Sequence, residues 1–251
     1  METMEKTGSL MSLAKESAAK IRPFQFHASQ ADLDDLHRRI LATRLPEKET
    51  VTDTSQGVQL KTIESITHYW ATTYNWRIVE AKLNALPQFM TEIDGLDIHF
   101  IHVRSKHKNA LPLLLTHGWP GSIIHHLKLI DPLTNPTAHD GKAEDAFDVI
   151  IPSIPGFGFS GKPTSAGWGP ERIGRAWVTL MKRLGYEQFL AQGGDWGAII
   201  TDMMAAQFPR HVMAMHTNMA CAVPAEIDAA AFTGSPPPSG LSDEEKEAYD
   251  R

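Results

Sequence analysis

The chain has 251 residues, 42% of them hydrophobic and 22% charged, with a formal net charge of −6 and a sequence pI near 6.0. This suits one large domain, or a domain plus a substantial arm, and argues against a nucleic-acid or anionic-membrane partner. No run approaches the ~18 apolar residues that span a bilayer, and the first twenty residues lack a secretory apolar block. Glu2, Glu5 and Glu16 weaken a mitochondrial reading, and the single cysteine, Cys221, excludes an internal disulfide and fits a reducing compartment. The expectation is a soluble, cytoplasmic protein.

Residues 1–21 read as a flexible tail. Ser29 then stands as an N-cap, with Asp32 three residues on, and Leu33, Leu36, Ile40 and Leu41 follow at helical spacing up to a stop at Leu45-Pro46. Residues 47–58 are polar and turn-rich. Ile63, Ile66, Trp70 and Tyr74 form a second helical stripe, and Arg77 to Leu86 a third helix stopped by Pro87. Residues 22–90 are therefore expected to be a helical meander.

From Thr91 the pattern changes. Asp94-Gly95 marks a turn, and Ile98, Phe100 and His102 alternate with Asp97, His99 and Ile101 as in a strand. Leu111 to Thr116 is a continuous apolar strand, Ile123 to Ile130 a helix, and Phe147 to Ile151 a strand. Pro170 to Leu184 is a helix with Ile173, Trp177, Leu180, Met181 and Leu184 on one stripe. Phe189 to Gln192 is a short strand, a helix follows, and Val212 to Met215 makes a further strand. Strand and helix alternating in this way predict an α/β fold with a mostly parallel sheet over residues 91–222. Residues 231–240 are rich in proline, glycine and serine and read as a linker, and Ser242 to Glu245 opens one more helix, so 223–251 is expected to be a linker and the start of a lid.

Gln192-Gly193-Gly194-Asp195-Trp196-Gly197 has the small-x-nucleophile-x-small pattern of a nucleophile elbow, with aspartate where serine is usual. Gly193 and Gly197 meet the need for small residues where a strand turns sharply into a helix. A carboxylate raised on such a turn attacks an electrophilic carbon and becomes an ester. His117-Gly118-Trp119-Pro120-Gly121-Ser122 lies where a buried strand meets a helix, and in an α/β-hydrolase architecture that loop faces the elbow. The backbone N–H groups of Trp119 and Trp196 are then the expected oxyanion hole. Pro120 holds the loop, His117 is expected to be a structural core residue beside Gly118, and the two tryptophan side chains read equally well as core aromatics. His125-His126 lacks carboxylates or cysteines at ligand spacing, so no metal is expected, and the Pro155–Gly161 loop lacks the strand-to-helix arrangement of a phosphate-binding loop. No cofactor is expected.

These motifs, taken together, resemble the epoxide hydrolases of the microsomal type. Thr43-Arg44-Leu45-Pro46, Tyr74-Asn75-Trp76-Arg77 with Leu83-Asn84 and Pro87-Gln88-Phe89 resemble that family's N-terminal meander, with Asn75 where the family commonly has aspartate. Ile93 to Phe100 resembles its first core strand, and His117 to Ser122, Pro155 to Ser160 and Gly193 to Gly197 resemble its active-site loops. The resemblance implies an α/β-hydrolase core in which Asp195 opens a small apolar epoxide to an ester, and water then releases a vicinal diol. It also implies a late histidine with a partner acid, and two lid tyrosines. After Asp195 the only histidines are His211 and His216 and the only tyrosine is Tyr249, and none of the three takes those roles. The expectation is a C-terminally truncated chain, without its lid and last core strands and inactive in turnover alone. A haloalkane dehalogenase-like hydrolase and a non-catalytic remnant stand as alternatives, Trp119 favouring epoxides, and the oligomeric state is left open.

Overall fold

The computed structural model describes residues 20–219 and 224–249, so most of the expected tail and Cys221 lie outside the described residues. The chain divides into two compact units, residues 23–88 and the remainder.

The first unit holds three helices. Helix α1 (Gln30–Leu41) starts at Ser29, whose hydroxyl accepts the Asp32 N–H at 3.1 Å, and carries Arg38 and Arg39 in its last turn, where cations favour the helix dipole. It ends four residues before the expected stop, where the Thr43 hydroxyl donates to the Arg39 carbonyl at 3.0 Å. Helix α2 (Leu60–Thr72) holds Ile63, Ile66 and Trp70, whereas Tyr74 lies past its end and packs edge-on against Tyr69. Helix α3 (Trp76–Asn84) is capped by Asn75, which accepts the Arg77 N–H at 3.0 Å and so fills the capping role an aspartate would. Buried Glu80 ties the segment before α1 to α3: it accepts the Ala28 N–H at 2.7 Å and an Arg77 N–H at 3.0 Å.

The second unit is built on a sheet whose strands run β1 (Arg22–Pro23), β2 (Gln88–Ile93), β3 (Leu96–Val103), β5 (Phe147–Pro152), β4 (Leu111–Thr116), β6 (Phe189–Gly193) and β7 (Val212–Thr217) in space. Strand β2 was not expected; sheet structure begins at Gln88 rather than after Thr91, because so short a stretch beside Pro87 shows no clear period. Asp94 and Gly95, both at positive φ, make the tight turn into β3. In β3 residues 98–102 are all buried, so the alternation of residue type is not an alternation of exposure. His99 satisfies its polarity on both sides, its ring 2.9 Å from the Ser153 hydroxyl and its N–H donated to Ser160 Oγ. Strands β4, β5, β6 and β7 are parallel and β3 is antiparallel to β5, which gives an α/β hydrolase fold with a mostly parallel sheet.

Helices α5 (Pro170–Arg183) and α6 (Trp196–Gln207) bring Ile173, Trp177, Leu180, Met181, Ile200 and Met204 into one core with Ile98, Phe100, Leu114 and Ile150. They cross closely at Gly174, where an added Cβ would stand 3.1 Å from Met204. The helix expected from Ile123 is a 3-10 turn (Ile123–His126) continuing as α4 (Leu127–Thr134), and the expected linker contains helix α7 (Ala225–Thr233) before α8 (Asp243–Tyr249). Beyond Val212, β7 exposes Met213 and Met215 on its outer faces.

Candidate active site

Strand register decides which loops meet. Thr116 pairs with Gly193, and Gly193 with Thr217, so the loops after β4, β6 and β7 leave the sheet side by side at the carboxyl ends of parallel strands. That is where ligands bind in α/β sheets. Asp195 sits at the β6–α6 turn with φ 55° and ψ −128°, a left-handed backbone that costs a non-glycine residue about 1–3 kcal/mol and persists only when its surroundings enforce it.

The enforcement is visible around the turn. A Cβ on Gly193 would overlap the Gly197 carbonyl, and one on Gly197 would overlap the Thr116 carbonyl, so α6 lies directly against the ends of β4 and β6. Gly118 comes equally close to the acid: a Cβ there would stand 2.6 Å from both Cβ and Oδ1 of Asp195.

The Asp195 side chain is exposed, and Oδ1 accepts the Trp119 N–H at 2.7 Å. The Trp119 and Trp196 amides together hold the carboxyl below the usual carboxylate range, so it is ionised at neutral pH. Trp119 and Trp196 expose their rings rather than burying them, so they are not core aromatics. The Trp119-Pro120 peptide is cis. His117 is 1% exposed, its Nδ1 2.9 Å from the Gly118 carbonyl and its Nε2 3.1 Å from the Ile154 N–H. A single tautomer, protonated at Nδ1, satisfies both bonds and leaves the ring no free lone pair. Burial also lowers its pKa.

Two cavities flank the acid. A polar one of about 280 Å³ is lined by Asp195, Thr116, His125, His126, Gln192 and Asn218 beside the 117–120 loop. An apolar one of about 520 Å³ is lined by Trp119, Ile154, Phe157, Trp168, Trp196 and Ile200, among others. Sequence reasoning missed Thr116, Gln192 and Asn218; the signal available was position, since Thr116 and Gln192 lie in the last two residues of their strands, three residues before Trp119 and Asp195. His211 lies at the opposite, amino end of β6 and bonds the Glu187 carbonyl, and His216 is exposed on β7 opposite Gln192. Among the described residues no group of three or more His, Cys, Asp or Glu could hold a metal, and no helix is long and apolar enough to cross a membrane.

Residues 21–126 match the family model for the epoxide hydrolase N terminus, and residues 112–245 match that for the alpha/beta hydrolase fold. A Stigmatella aurantiaca protein whose name places it among the epoxide hydrolases is 54% identical over 228 residues, covering 91% of this chain and 50% of its own length. Epoxide hydrolase 1 of Sus scrofa is 41% identical over 204 residues, covering 80% of this chain and 45% of its own. The crystal structure of juvenile hormone epoxide hydrolase from the silkworm Bombyx mori superposes with a TM-score of 0.77 at 33% identity, covering 92% of this chain and 55% of that one. The chain thus spans about half the length of the curated relatives it matches. The matched models, the strand order and the elbow agree: the chain belongs to the alpha/beta hydrolase fold family, and its residues 21–126 are similar to the epoxide hydrolase N terminus.

Proposed function

We propose that Asp195 is the nucleophile of an epoxide hydrolase that opens a small apolar epoxide to a vicinal diol. The observation that carries this reading is the contact between Asp195 Oδ1 and the Trp119 N–H at the strand-to-helix turn. An ionised oxygen of Asp195 attacks an epoxide carbon, the carbon–oxygen bond of the ring breaks, and the alkoxide takes up a proton to leave a hydroxyalkyl ester. Water then adds to the ester carbonyl, whose oxygen becomes an oxyanion held by the Trp119 and Trp196 N–H groups. Collapse releases the diol and restores the carboxyl. The apolar cavity beside Trp119 and Trp196 supports an apolar substituent on the epoxide. The single cysteine, which allows no internal disulfide, supports a reducing, cytoplasmic setting.

His117 does not supply the base for the second step, because both its ring nitrogens are engaged. None of the described residues is assigned as that base, and without one such a step slows by about 10²–10⁴, so the ester is expected to accumulate. Incubation with styrene oxide should add one epoxide mass to the intact protein, located on the peptide containing Asp195 and absent in Asp195→Asn. No increment, or the same increment in Asp195→Asn, overturns the assignment. Release of halide from a haloalkane, with no epoxide adduct, points to dehalogenation instead.

A further inference from the structure

Buried polar side chains almost always find a partner, because leaving one unmade costs about 1–3 kcal/mol. Three of the residues that line the polar cavity at Asp195 carry a buried polar atom that has none: Thr116 Oγ1, His126 Nε2 and Gln192 Oε1. Thr116 is wholly buried and His126 only 7% exposed. The His126 ring bonds the Thr116 main chain, and since Nε2 is unpartnered, that bond is made by Nδ1–H to the carbonyl. Burial holds its pKa at about 4, so the ring is neutral and Nε2 presents a lone pair. The cavity floor therefore offers two acceptors, His126 Nε2 and the Gln192 amide oxygen, and a hydroxyl that serves as either donor or acceptor.

Such a floor fits a small neutral donor of hydrogen bonds. About 280 Å³, against ~30 Å³ per molecule of liquid water, admits a small cluster. A water that donates both hydrogens to the floor turns its lone pairs outward, towards the side of the cavity lined by Asp195.

We propose that this polar cavity is the water port of the second half-reaction, with Thr116, His126 and Gln192 as positioning residues that hold the water destined for the Asp195 ester. The inference rests on the nucleophile assignment above. Water from the port adds to the ester carbonyl, the bond from carbonyl carbon to alkyl oxygen breaks, and the proton lost by water passes to the departing alkoxide. His126 positions rather than deprotonates, since so weak a base draws little proton at neutral pH.

The test separates the two half-reactions on the full chain. Adduct formation with styrene oxide is followed by intact mass, and after removal of excess epoxide its decay is followed in water alone and with hydroxylamine. Hydroxylamine is a small donor-bearing nucleophile that needs no base, and it leaves a hydroxamate on Asp195. Thr116→Val, His126→Phe and Gln192→Met should each slow decay in hydroxylamine by fivefold or more with much smaller effects on adduct formation, and Thr116→Ser should retain the parent rate. Gln192 is only partly buried, so Gln192→Met keeps the test alive if a buried variant fails to fold. Adduct decay as fast in these variants as in the parent overturns the port while leaving the nucleophile intact. Absence of any adduct in the parent overturns the nucleophile assignment, and the port with it.

Discussion

At the scale of single residues, the site rests on glycines whose missing side chains do different work. Gly197 is packed against backbone, the Thr116 carbonyl, which cannot move without disturbing β4. Gly118 is packed against a side chain, that of Asp195. The two substitutions should therefore separate. Gly197→Ala is expected to lower stability by more than ~2 kcal/mol, read as a fall in the denaturant midpoint. Gly118→Ala is expected to keep a near-parent midpoint but to lose most Asp195 alkylation, because the carboxylate is pushed from the Trp119 amide. Equal stability losses in the two variants would contradict this division.

At the scale of elements, helix ends and strand ends carry the organisation. Ser29 and Asn75 start their helices through side-chain oxygens, as sequence reasoning from capping preference expects for Ser29. Glu80 pairs locally with Arg77, three residues away on the same helix, but its bond to the Ala28 N–H, 52 residues away, has no local signature and needs the folding of the 23–88 unit. Glu80→Ala should leave a buried Ala28 N–H unpaired and remove the ion pair of Arg77, which keeps its bond to the Ala28 carbonyl, at a cost of about 2–3 kcal/mol in the unfolding free energy of that unit. Chemical denaturation followed by fluorescence of Trp70 and Trp76, both in that unit, measures it; a change within ±0.5 kcal/mol would show the cluster to be incidental.

At the scale of the whole molecule, buried histidines set the acid response; His117 is one of them, and three others move furthest. Burial lowers His99, His102 and His126 from the ordinary 6.5 to about 4. Above pH 6.5 each ring is neutral in folded and unfolded chains alike and contributes no pH dependence. Between about 6.5 and 4 the unfolded chain binds the extra proton, so stability falls as pH falls, by on the order of 3 kcal/mol per ring, and levels off below 4 for these groups. Unfolding free energies should hold level from pH 7.5 to about 6.5 and decline from there to pH 4.5, and His99→Asn should flatten that decline. A pH-independent free energy across that window would refute the assignment.

The chain by itself determined the alternation of strands and helices, the elbow at Asp195 and the loop at His117–Ser122, because hydrophobic period, glycine placement and motif order are local properties. It did not disclose β2, whose six residues follow a proline and show no clear period, nor α7 inside a segment read as linker. The exposure of Trp119 and Trp196 was equally hidden, since residue type does not say which way a ring faces. The polar cavity depended wholly on tertiary structure. Thr116, His126 and Gln192 come from different elements, and only the register of β4 against β6 brings them to one cavity with Asp195. Sequence spacing sets which residues a turn can raise; strand register, which is a long-range packing outcome, sets what stands opposite them.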